Sequence, residues 1–523
     1  MPESTYSDGV TIADIRITPK AVEKKLKKLD GSKAQGPDGI PPRVLKELAV
    51  ELAFPLSVLF NKSLETGLIP EEWKHANVTA IFKKGSRSQP GNYRPVSLTC
   101  ICCKILESFV RDVIVDHLND NNLYTQCQHG FRNKRSCNTQ LLEVMEEITD
   151  LLDNGDTVDI VYLDFRKAFD SVPHERLLIK LRAYGIVNNV HNWVRNFLTN
   201  RYQRVRVGEI YSSGAKVLSG IPQGSILGPV LFTIFINDLP DCVESSCKVF
   251  ADDTKIYNKT KNNRLLQNDL NKLQDWTNIW NLYFNTDKCK VMHVGKDNPY
   301  VTYTMEKKNT SSPVTVCEFE KDLGVTFDKD FAFDRHIQNC TNKANQVIGL
   351  IKRTFVNIDR DIFIKLYKAL VRPHLEYGNI IWSPKFKYQS VAIEKVQRRA
   401  TKLVKACKSM DYYHRLKYLN LFSLKGRRLR GDLIETYKIY NNYVDLSWNK
   451  FFSTPQYDLT RNATGKVFVK RCHTVMRKNC YSNRITNHWN ELPTDIKCAQ
   501  STNMFKNRLD ALPKFLDIFR SYD

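Results

Sequence analysis

Two adjacent carboxylates, Asp252 and Asp253, lie in the middle of VFADDTKIY, a short stretch of apolar, aromatic and β-branched residues. Residues of this kind favour paired, buried strands, whereas two neighbouring like charges repel each other. A third carboxylate, Asp164, lies at the end of the strand-like stretch TVDIVYLDF. If the two strands are neighbours in one sheet, Asp164 and Asp252 converge on one point. We expect the positive charge that this convergence requires to come from outside the chain.

Converging carboxylates provide hard oxygen ligands of the kind that Mg²⁺ prefers, and Mg²⁺ keeps waters and phosphate oxygens in its remaining positions. Two such ions would activate a hydroxyl for attack on a phosphate and would stabilise the departing pyrophosphate. A structural interpretation is also open, because an isolated Asp-Asp pair is most often a solvated turn and a strand-end aspartate most often a helix cap. Asp170, which lies next to Ser171, fits such a helix-start role.

Two other segments add candidate ligand contacts. LSGIPQGSILGP, between the acidic stretches, has three glycines that allow close backbone approach, and Gln223 as an uncharged hydrogen-bonding side chain. Upstream, FKKGSRSQPGNYRP contains four cations: Lys83, Lys84, Arg87 and Arg94. Clustered cations suit a triphosphate. The alternatives are a helix-entry turn for the first segment and a solvated basic loop for the second.

The composition favours a globular protein with a polyanionic partner. The chain has 523 residues, of which 42% are hydrophobic and 11% aromatic, so it can build more than one packed core. Lysine and arginine number 79 against 56 acidic residues, a formal charge of +23, which favours nucleic acid slightly over simple solubility. The 14 cysteines show no Cys/His run at zinc-finger spacing, a pattern typical of free thiols in a reducing compartment.

The sequence shows neither a signal peptide nor a transmembrane segment. MPESTYSDGV lacks the apolar core of a signal peptide, and the longest apolar run, around ILGPVLFTIFI, is too short to span a bilayer. We therefore expect an intracellular protein, in the nucleus or the cytoplasm, with no signal peptide, transmembrane segment or membrane partner.

The order of predicted elements indicates an α+β fold. Helices broken by the turn GPDGIPP come first, and from residue 157 strands and helices follow in mixed order without a regular βαβ repeat. SVPHERLLIKLRAYG predicts a helix with Ser171 as its N-cap and Gly185 as its stop. After about residue 335 the chain is helical and basic, with eleven Lys/Arg and one acid, Asp411, between Arg398 and Arg430.

Seven ordered blocks carry a family resemblance: NYRPVSL, QHGFRNKRSCNTQ, YLDFRKAFDSVPHERL, GIPQGSILGPVLFTIFINDL, FADDTKIY, NTDKCKVMHV and LGVTFD. In order and spacing they resemble the reverse transcriptase of non-LTR (LINE-type) retrotransposons, in particular its jockey-like branch. The resemblance implies an α+β right-hand polymerase with fingers, palm and thumb and a mainly helical, basic C-terminal region. The implied domains are a helical N-terminal extension with the GPDGI motif at 1–75, fingers and palm at 76–300, palm end and thumb at 301–430, and a C-terminal helical region at 431–523.

The resemblance also implies roles for the acidic residues. Asp164, Asp252 and Asp253 would be catalytic carboxylates that bind two Mg²⁺ ions, or Mn²⁺ in their place, and the backbone carbonyl of Phe165 would face a metal. Asp252 would be the bridging ligand and Asp253 its weaker neighbour. Phe169 falls at the steric gate, a ring that leaves no room for a 2′-hydroxyl.

Further implied contacts are to nucleotide and nucleic acid. Gln223 would line the dNTP pocket, and Arg94, with Lys83 or Lys84, would hold the triphosphate. GPDGI would contact RNA backbone, and a basic thumb would grip a duplex through phosphates. The candidate thumb contacts are Arg398, Arg399, Arg427 and Arg428. The implied partners are template RNA, primer DNA, their RNA–DNA hybrid and dNTPs.

The predicted function is RNA-directed DNA polymerisation. The alternative is a catalytically inactive or co-opted nucleic-acid-binding relic, which intact acidic motifs disfavour, while Phe169 disfavours an RNA-directed RNA polymerase. Jockey-like proteins carry an apurinic-type endonuclease before the polymerase, and the residues before 30 leave no room for one. The sequence would then be a fragment of a longer open reading frame, a 5′-truncated copy or a separately encoded polymerase, and we expect the endonuclease needed for integration to come from elsewhere.

Overall fold

The computed structural model describes residues 9–307, 310–454 and 465–521. Most of the stretch on which the signal-peptide prediction rests, residues 1–8, lies outside them, as does part of the predicted C-terminal region, 455–464. No helix within the described ranges is both long enough and apolar enough to cross a bilayer. The expected mixture of helices and sheets is confirmed.

The first elements are helices followed by a strand pair and two long helices. Thr18 caps the first helix by accepting a hydrogen bond from the Ala21 N–H, and Val22 and Leu26 form its buried face. The elements up to residue 157 are α1 (Pro19–Lys27), α2 (Pro42–Glu47), α3 (Ala49–Thr66), β1 (His75–Phe82), β2 (Tyr93–Leu98), α4 (Ile101–Asp120) and α5 (Cys137–Asp153).

The middle of the chain contains most of the strands. Its first part comprises β3 (Val158–Leu163), α6 (Ala168–Ser171), α7 (His174–Ala183), α8 (Asn188–Leu198), β4 (Arg201–Val207), β5 (Ile210–Tyr211), β6 (Ala215–Val217) and α9 (Gly228–Phe235). Its second part comprises β7 (Ser246–Phe250), β8 (Asp253–Lys259), α10 (Asn263–Trp280), β9 (Lys290–Val294), β10 (Thr304–Lys307), β11 (Thr310–Pro313), β12 (Thr315–Val316), β13 (Phe319–Asp322) and β14 (Val325–Asp328).

The described part of the chain after β14 is helical. Its first helices are α11 (Asp334–Thr354), α12 (Arg360–Leu366), α13 (Arg372–Glu376), α14 (Asn379–Trp382), α15 (Lys387–Thr401), α16 (Tyr412–Leu419) and α17 (Leu424–Tyr440). The last are α18 (Trp448–Phe451), α19 (Val475–Lys478), α20 (Tyr481–Arg484), α21 (Thr486–Asn490), α22 (Thr494–Lys497), α23 (Thr502–Ala511) and α24 (Pro513–Arg520).

Two five-stranded sheets form the framework of the molecule. One has the order β2-β1-β4-β5, with β6 also paired to β4, and the other has the order β12-β9-β3-β8-β7. In the second sheet β3 is central and antiparallel to both β8 and β9. Its residues alternate between two hydrophobic cores, with Ile160 in the core shared with α5 and the C-terminal helices and Val161 in the other. A strand buried on both faces explains the continuous apolar pattern of this stretch.

The start of α7 differs from the sequence prediction. The helix begins at His174 and its N-cap position is Pro173, with no side-chain capping bond. Ser171 instead ends α6, and its hydroxyl donates to the carbonyls of Arg166 and Lys167. The prediction of Ser171 as the N-cap is therefore wrong, because a separate short helical turn precedes α7. Gly185 does follow the helix, with φ +74°.

The C-terminal helices are fastened to α5 by charged and polar contacts. Arg477 pairs with Glu146 at 2.6 Å, and both side chains are almost completely buried. The Ser482 hydroxyl donates to the other oxygen of Glu146 at 2.6 Å. About two turns further along α5, Asp153 accepts hydrogen bonds from the backbone N–H and the hydroxyl of Thr474. The C-terminal segment is thus part of the core that covers one face of the central sheet.

We expect Arg477→Met to lower the free energy of unfolding by about 3–5 kcal/mol, because it leaves the Glu146 carboxylate buried without its cation. The double variant Glu146→Met/Arg477→Met should lose less, since it removes both buried charges. Urea unfolding of the three proteins checks this. The control is Lys33→Met, which removes an exposed, 4.0 Å pair with Asp30 and should leave the unfolding midpoint unchanged. Equal stability of Arg477→Met and the native chain would contradict the expectation.

Candidate active site

The three acidic residues meet at one edge of the central sheet. In the β7–β8 hairpin Phe250 pairs with Asp253, so Ala251 and Asp252 form the turn. Leu163, the last residue of β3, pairs with Thr254 of β8. Asp164 therefore follows its strand at the position where β8 begins. The strand pairing thus brings these carboxylates together, as predicted from the sequence.

The carboxylates influence one another electrostatically. The pKa of Asp252 is raised, first by burial and then by the charge of Asp164, while Arg94 and Lys83 oppose the shift. The pKa of Asp253 is raised to about 6, first by desolvation of the carboxyl and then by the charges of Asp252 and Asp322. Its side chain nevertheless reaches solvent in the cleft. A cation bound nearby would lower the pKa of Asp253 again, because it favours the ionised carboxylate.

Part of the counter-charge comes from the chain itself. The Lys288 ammonium lies 3.0 Å from an Asp164 carboxylate oxygen, and both side chains are exposed, 63% and 39%. Asn285 holds the same strand end, because its N–H donates to the Asp164 carbonyl at 2.6 Å. The expectation that all of the positive charge arrives from outside is therefore wrong for Asp164. Both residues belong to NTDKCKVMHV, and their contacts could not be assigned from the sequence.

A cavity of about 1420 Å³ opens between the two five-stranded sheets and contains these carboxylates in its wall. The predicted residues that line it are Lys83, Arg94, Asp164, Phe165, Phe169, Gln223, Asp252 and Asp253. Lys83 follows β1 directly, and Arg94 lies on β2 opposite Ile81, so the β1–β2 connection brings both cations to the cavity. Arg87 also lines it, whereas Lys84 is exposed and is not part of the wall.

Two aromatic rings near the carboxylates are held by stacking. The Phe169 ring stacks on Phe232 with centroids 4.4 Å apart, and it meets the Phe131 ring edge-on at 6.5 Å. The buried Phe165 ring stacks on Phe284 at 4.5 Å. Phe169 is half-buried, so part of its ring faces the cavity in a fixed orientation.

Gln223 is positioned by its backbone and by Asp170. Its side-chain N–H donates to an Asp170 carboxylate oxygen at 2.9 Å, and its carbonyl accepts from Ser97 N–H at 2.7 Å. Burial raises the pKa of Asp170, and this hydrogen bond opposes the shift. The helix-cap interpretation of Asp170 is wrong, since its carboxylate lines the cavity and bonds Gln223. Gly220, with φ +87°, packs so tightly on the Asp170 backbone that a Cβ would lie 2.5 Å from its carbonyl oxygen.

Glu107 holds the segment that follows Gln223, and the sequence did not predict this role. This α4 residue is fully buried, and one carboxylate oxygen accepts from the N–H groups of Ile226 and Leu227 at 2.7 and 3.1 Å. The bonds anchor the segment between Gln223 and α9. Burial raises the pKa of Glu107, and the two N–H donors oppose the shift. An acid among apolar residues in CCKILESFV is the only sequence signal, and it does not reveal the partner.

The four predicted thumb cations occupy different environments. Arg398 and Arg399 are exposed on α15, where Arg398 lies over the Tyr412 ring. Arg427 is partly buried and makes a two-point ion pair with Glu376. Arg428 is buried and donates to the Ser390 hydroxyl at 3.0 Å. The burial of Arg428 contradicts a phosphate contact by this residue, because its guanidinium is enclosed by protein. Arg427 is only partly buried, but its guanidinium already pairs with the Glu376 carboxylate.

The GPDGI loop packs against the start of α4. A Cβ on Gly36 would lie 2.8 Å from the Cys100 Cα, so only glycine fits this close approach. Ile40, at the other end of the motif, is exposed. The loop thus fastens the N-terminal helices to the body, and its predicted RNA contact stays a prediction.

The described residues contain no ready-made group of three or more His, Cys, Asp or Glu side chains that could hold a metal ion. Mg²⁺, however, is commonly bound through one or two carboxylates, with waters and substrate phosphates as its other ligands. Asp164 and Asp252, which line one cavity and repel each other, fit that type of incomplete site.

The comparison with known proteins agrees with this geometry. Residues 81–346, more than half of the chain, match the family model described as reverse transcriptase (RNA-dependent DNA polymerase). The match includes both acidic segments, the Gln223 loop and the Lys83–Arg94 connection.

Three Drosophila melanogaster proteins illustrate the similarity. The chain is 28% identical to the probable RNA-directed DNA polymerase from transposon BS, over 79% of this chain and 47% of that protein. It is 27% identical to the RNA-directed DNA polymerase from mobile element jockey, over 69% of this chain and 41% of the relative. It is 26% identical to the probable RNA-directed DNA polymerase from transposon X-element, over 75% of this chain and 45% of that protein. The chain thus spans about half the length of the curated relatives it matches. It belongs to the reverse transcriptase family, and its relatives among the polymerases of jockey-type mobile elements confirm the resemblance inferred from its sequence.

Proposed function

We propose that this chain is the RNA-directed DNA polymerase of a non-LTR retrotransposon, which extends a DNA primer by copying an RNA template. The observation that carries the proposal is the single cavity where three carboxylates from two strand ends face cations from the β1–β2 connection. A cavity lined by both carboxylates and cations suits a nucleoside triphosphate bound with a divalent metal.

Asp164 and Asp252 are the proposed ligands of two Mg²⁺ ions, or of Mn²⁺, with Asp253 and the Phe165 carbonyl as supporting ligands. When bound, these ions would activate the primer 3′-hydroxyl and stabilise the leaving pyrophosphate. The raised pKa values of Asp252 and Asp253 support the assignment, because both groups gain from a nearby cation. Lys288 would release Asp164 when a metal takes the same carboxylate oxygen.

The rest of the cavity would orient the incoming nucleotide. Arg94 and Lys83 are the proposed triphosphate contacts, and Lys84 is a weaker candidate because it lies outside the cavity wall. Gln223, held by Asp170, would present its side chain to the dNTP. The Phe169 ring, fixed by its stack on Phe232, would exclude a ribose 2′-hydroxyl.

A right-hand arrangement is proposed for the larger parts. The sheet that contains β1, β2 and β4 would be the fingers, the β3–β8–β9 sheet the palm, and the helices from α11 onward the thumb, ending in the helical C-terminal region. Template RNA, primer DNA and their hybrid would lie between them. An endonuclease activity would be required in addition for integration into DNA.

Removing the charge of Asp252 is expected to abolish catalysis. In a primer-extension assay with poly(rA)·oligo(dT), dTTP and Mg²⁺, Asp252→Asn should lower the incorporation rate by on the order of 10³-fold. Duplex binding should change little, because the phosphates are held elsewhere. Asp275→Asn, which alters an exposed carboxylate of α10 outside the cavity, is the control and should be fully active. Native incorporation by Asp252→Asn would rule out the assignment. A native chain that only binds nucleic acid would establish the inactive relic instead.

Shortening Phe169 is expected to relax sugar discrimination. Phe169→Ala should raise the ratio of rNTP to dNTP incorporation by about tenfold or more, because it opens space beside the sugar. Phe169→Tyr keeps the ring and should keep the native ratio. The measurement is the ratio of kcat/KM values for rTTP and dTTP on one template. An unchanged ratio in Phe169→Ala would show that another group reads the sugar.

The exposed thumb cations are expected to contact phosphates. Arg399→Ala should weaken duplex binding at all sequences and reduce the slope of log Kd against log salt by about 0.9, the value for one lost phosphate contact. Fluorescence anisotropy at several salt concentrations measures both quantities. Lys62→Met, which removes an exposed cation of α3 outside the GPDGI loop, provides the control for net charge. An identical salt slope in Arg399→Ala and the native chain would remove Arg399 from the interface.

A further inference from the structure

The QHGFR block contributes a short extended segment that pairs with the catalytic hairpin. The Val249 N–H donates to the Cys127 carbonyl at 2.9 Å, and the His129 N–H donates to the Val249 carbonyl at 2.8 Å. These bonds place Gln128 in parallel pairing beside Val249 of β7. The segment therefore forms the outer neighbour of the strand that leads directly into the turn with Asp252.

Gln128 joins this segment to the turn through its side chain. Its Oε1 accepts hydrogen bonds from the N–H of Gly130 at 2.7 Å and from the N–H of Ala251 at 3.0 Å. Gln128 is 1% exposed and Ala251 is 5% exposed, so both bonds are shielded from water. Buried N–H groups without an acceptor are strongly unfavourable, which makes this amide oxygen important for the turn.

The turn needs such a restraint because of its backbone conformation. Ala251 has φ +54°, the left-handed region that a residue with a Cβ rarely adopts, and it immediately precedes Asp252. Gly130 lies so close that a Cβ there would be 2.5 Å from the Ala251 nitrogen. The Gln128 amide and the Gly130 backbone therefore both lie directly against the turn, and a side chain at position 130 would clash with it.

The two hydrogen bonds to Oε1 fix the orientation of the Gln128 side-chain amide. Among the described residues, the Gln128 Nε2 is buried without a hydrogen-bond partner, whereas Oε1 has two. The segment is also anchored from behind, since the His129 ring bonds the Thr139 hydroxyl of α5 at 2.9 Å. The acceptor atom is thus held at a fixed place relative to α5 and β7.

We propose that Gln128 is a positioning residue for the reaction: its carbonyl oxygen holds the Ala251 N–H and thereby sets the Asp252 carboxylate relative to Asp164. Gln128 does not itself touch substrate or metal. The expected effect on kcat rests on the proposed polymerase function. The expected effect on divalent-metal binding rests on the geometry alone. Without this acceptor, Ala251 can leave the left-handed region and Asp252 moves with it.

Two variants and a matched control test the proposal in the full chain. Gln128→Met keeps the size and removes the acceptor, and Gln128→Glu keeps an acceptor oxygen in either protonation state. Gln140→Met is the control, because Gln140 is also a fully buried glutamine and neither of its amide atoms has a described partner. The readouts are Mn²⁺ binding to the nucleic-acid-free chain by EPR titration, and kcat and KM for dTTP in primer extension.

Gln128→Met is expected to weaken Mn²⁺ binding by about tenfold and to lower kcat by about ten- to a hundredfold, with the KM for dTTP within about threefold, because the nucleotide-holding groups stay in place. Gln128→Glu and Gln140→Met should stay within about threefold of native in both assays. If Gln128→Met shows no cooperative thermal unfolding, Gln128→Asn replaces it, since its shorter amide cannot reach the Ala251 N–H.

Three results would overturn the proposal: native Mn²⁺ binding by Gln128→Met, an equal loss in Gln140→Met, or a loss in Gln128→Glu as large as in Gln128→Met. The metal-binding assay separates this proposal from the proposed function. A native chain that incorporates no dTTP, but whose Mn²⁺ affinity falls only when the acceptor is removed, would support the role of Gln128 and refute the polymerase activity.

Discussion

The accumulation of negative charge at one sheet edge is the constraint on which the rest of the structure depends. Antiparallel pairing of β3 with β8 brings the end of one strand to the start of the other, so Asp164 and Asp253 are neighbours and Asp252 lies in the adjoining turn. Burial and mutual repulsion raise the pKa values of Asp252 and Asp253. The surrounding structure has to supply cations to this edge and must prevent the turn from relaxing away from it.

The backbone around these charges is held mainly by hydrogen bonds to polar groups from distant parts of the chain. Gln128 accepts from Ala251, Glu107 accepts from Ile226 and Leu227, and Asn285 donates to the carbonyl of Asp164. Each bond fixes the main chain and leaves the acidic side chains available to a ligand. Such a frame would lower the reorganisation needed for the proposed binding of a cation and a nucleotide in the cavity.

The second supporting element is α5, which lies between the central sheet and the C-terminal helices. Its apolar residues share a core with one face of that sheet, while its acidic residues pair with cations of the C-terminal segment, as Glu146 does with Arg477. The C-terminal helices are therefore required to cover the sheet that carries the site. Because α5 also anchors His129, which lies in the segment paired with β7, the same helix contacts both the C-terminal helices and the strand that leads to the Asp252 turn.

The sequence by itself determined the strand–turn–strand at VFADDTKIY, the buried strand before Asp164, the helical region after about residue 335 and the family, because each depends on local periodicity or on ordered motifs. Only the tertiary structure decided that Lys288 neutralises part of Asp164, that Asp170 holds Gln223, and that Arg428 is enclosed. These outcomes depend on which side chains meet after distant segments pack. Residue type and spacing do not contain that information, since the same arginine or aspartate is equally compatible with solvent, a ligand or a buried partner until its neighbours are in place.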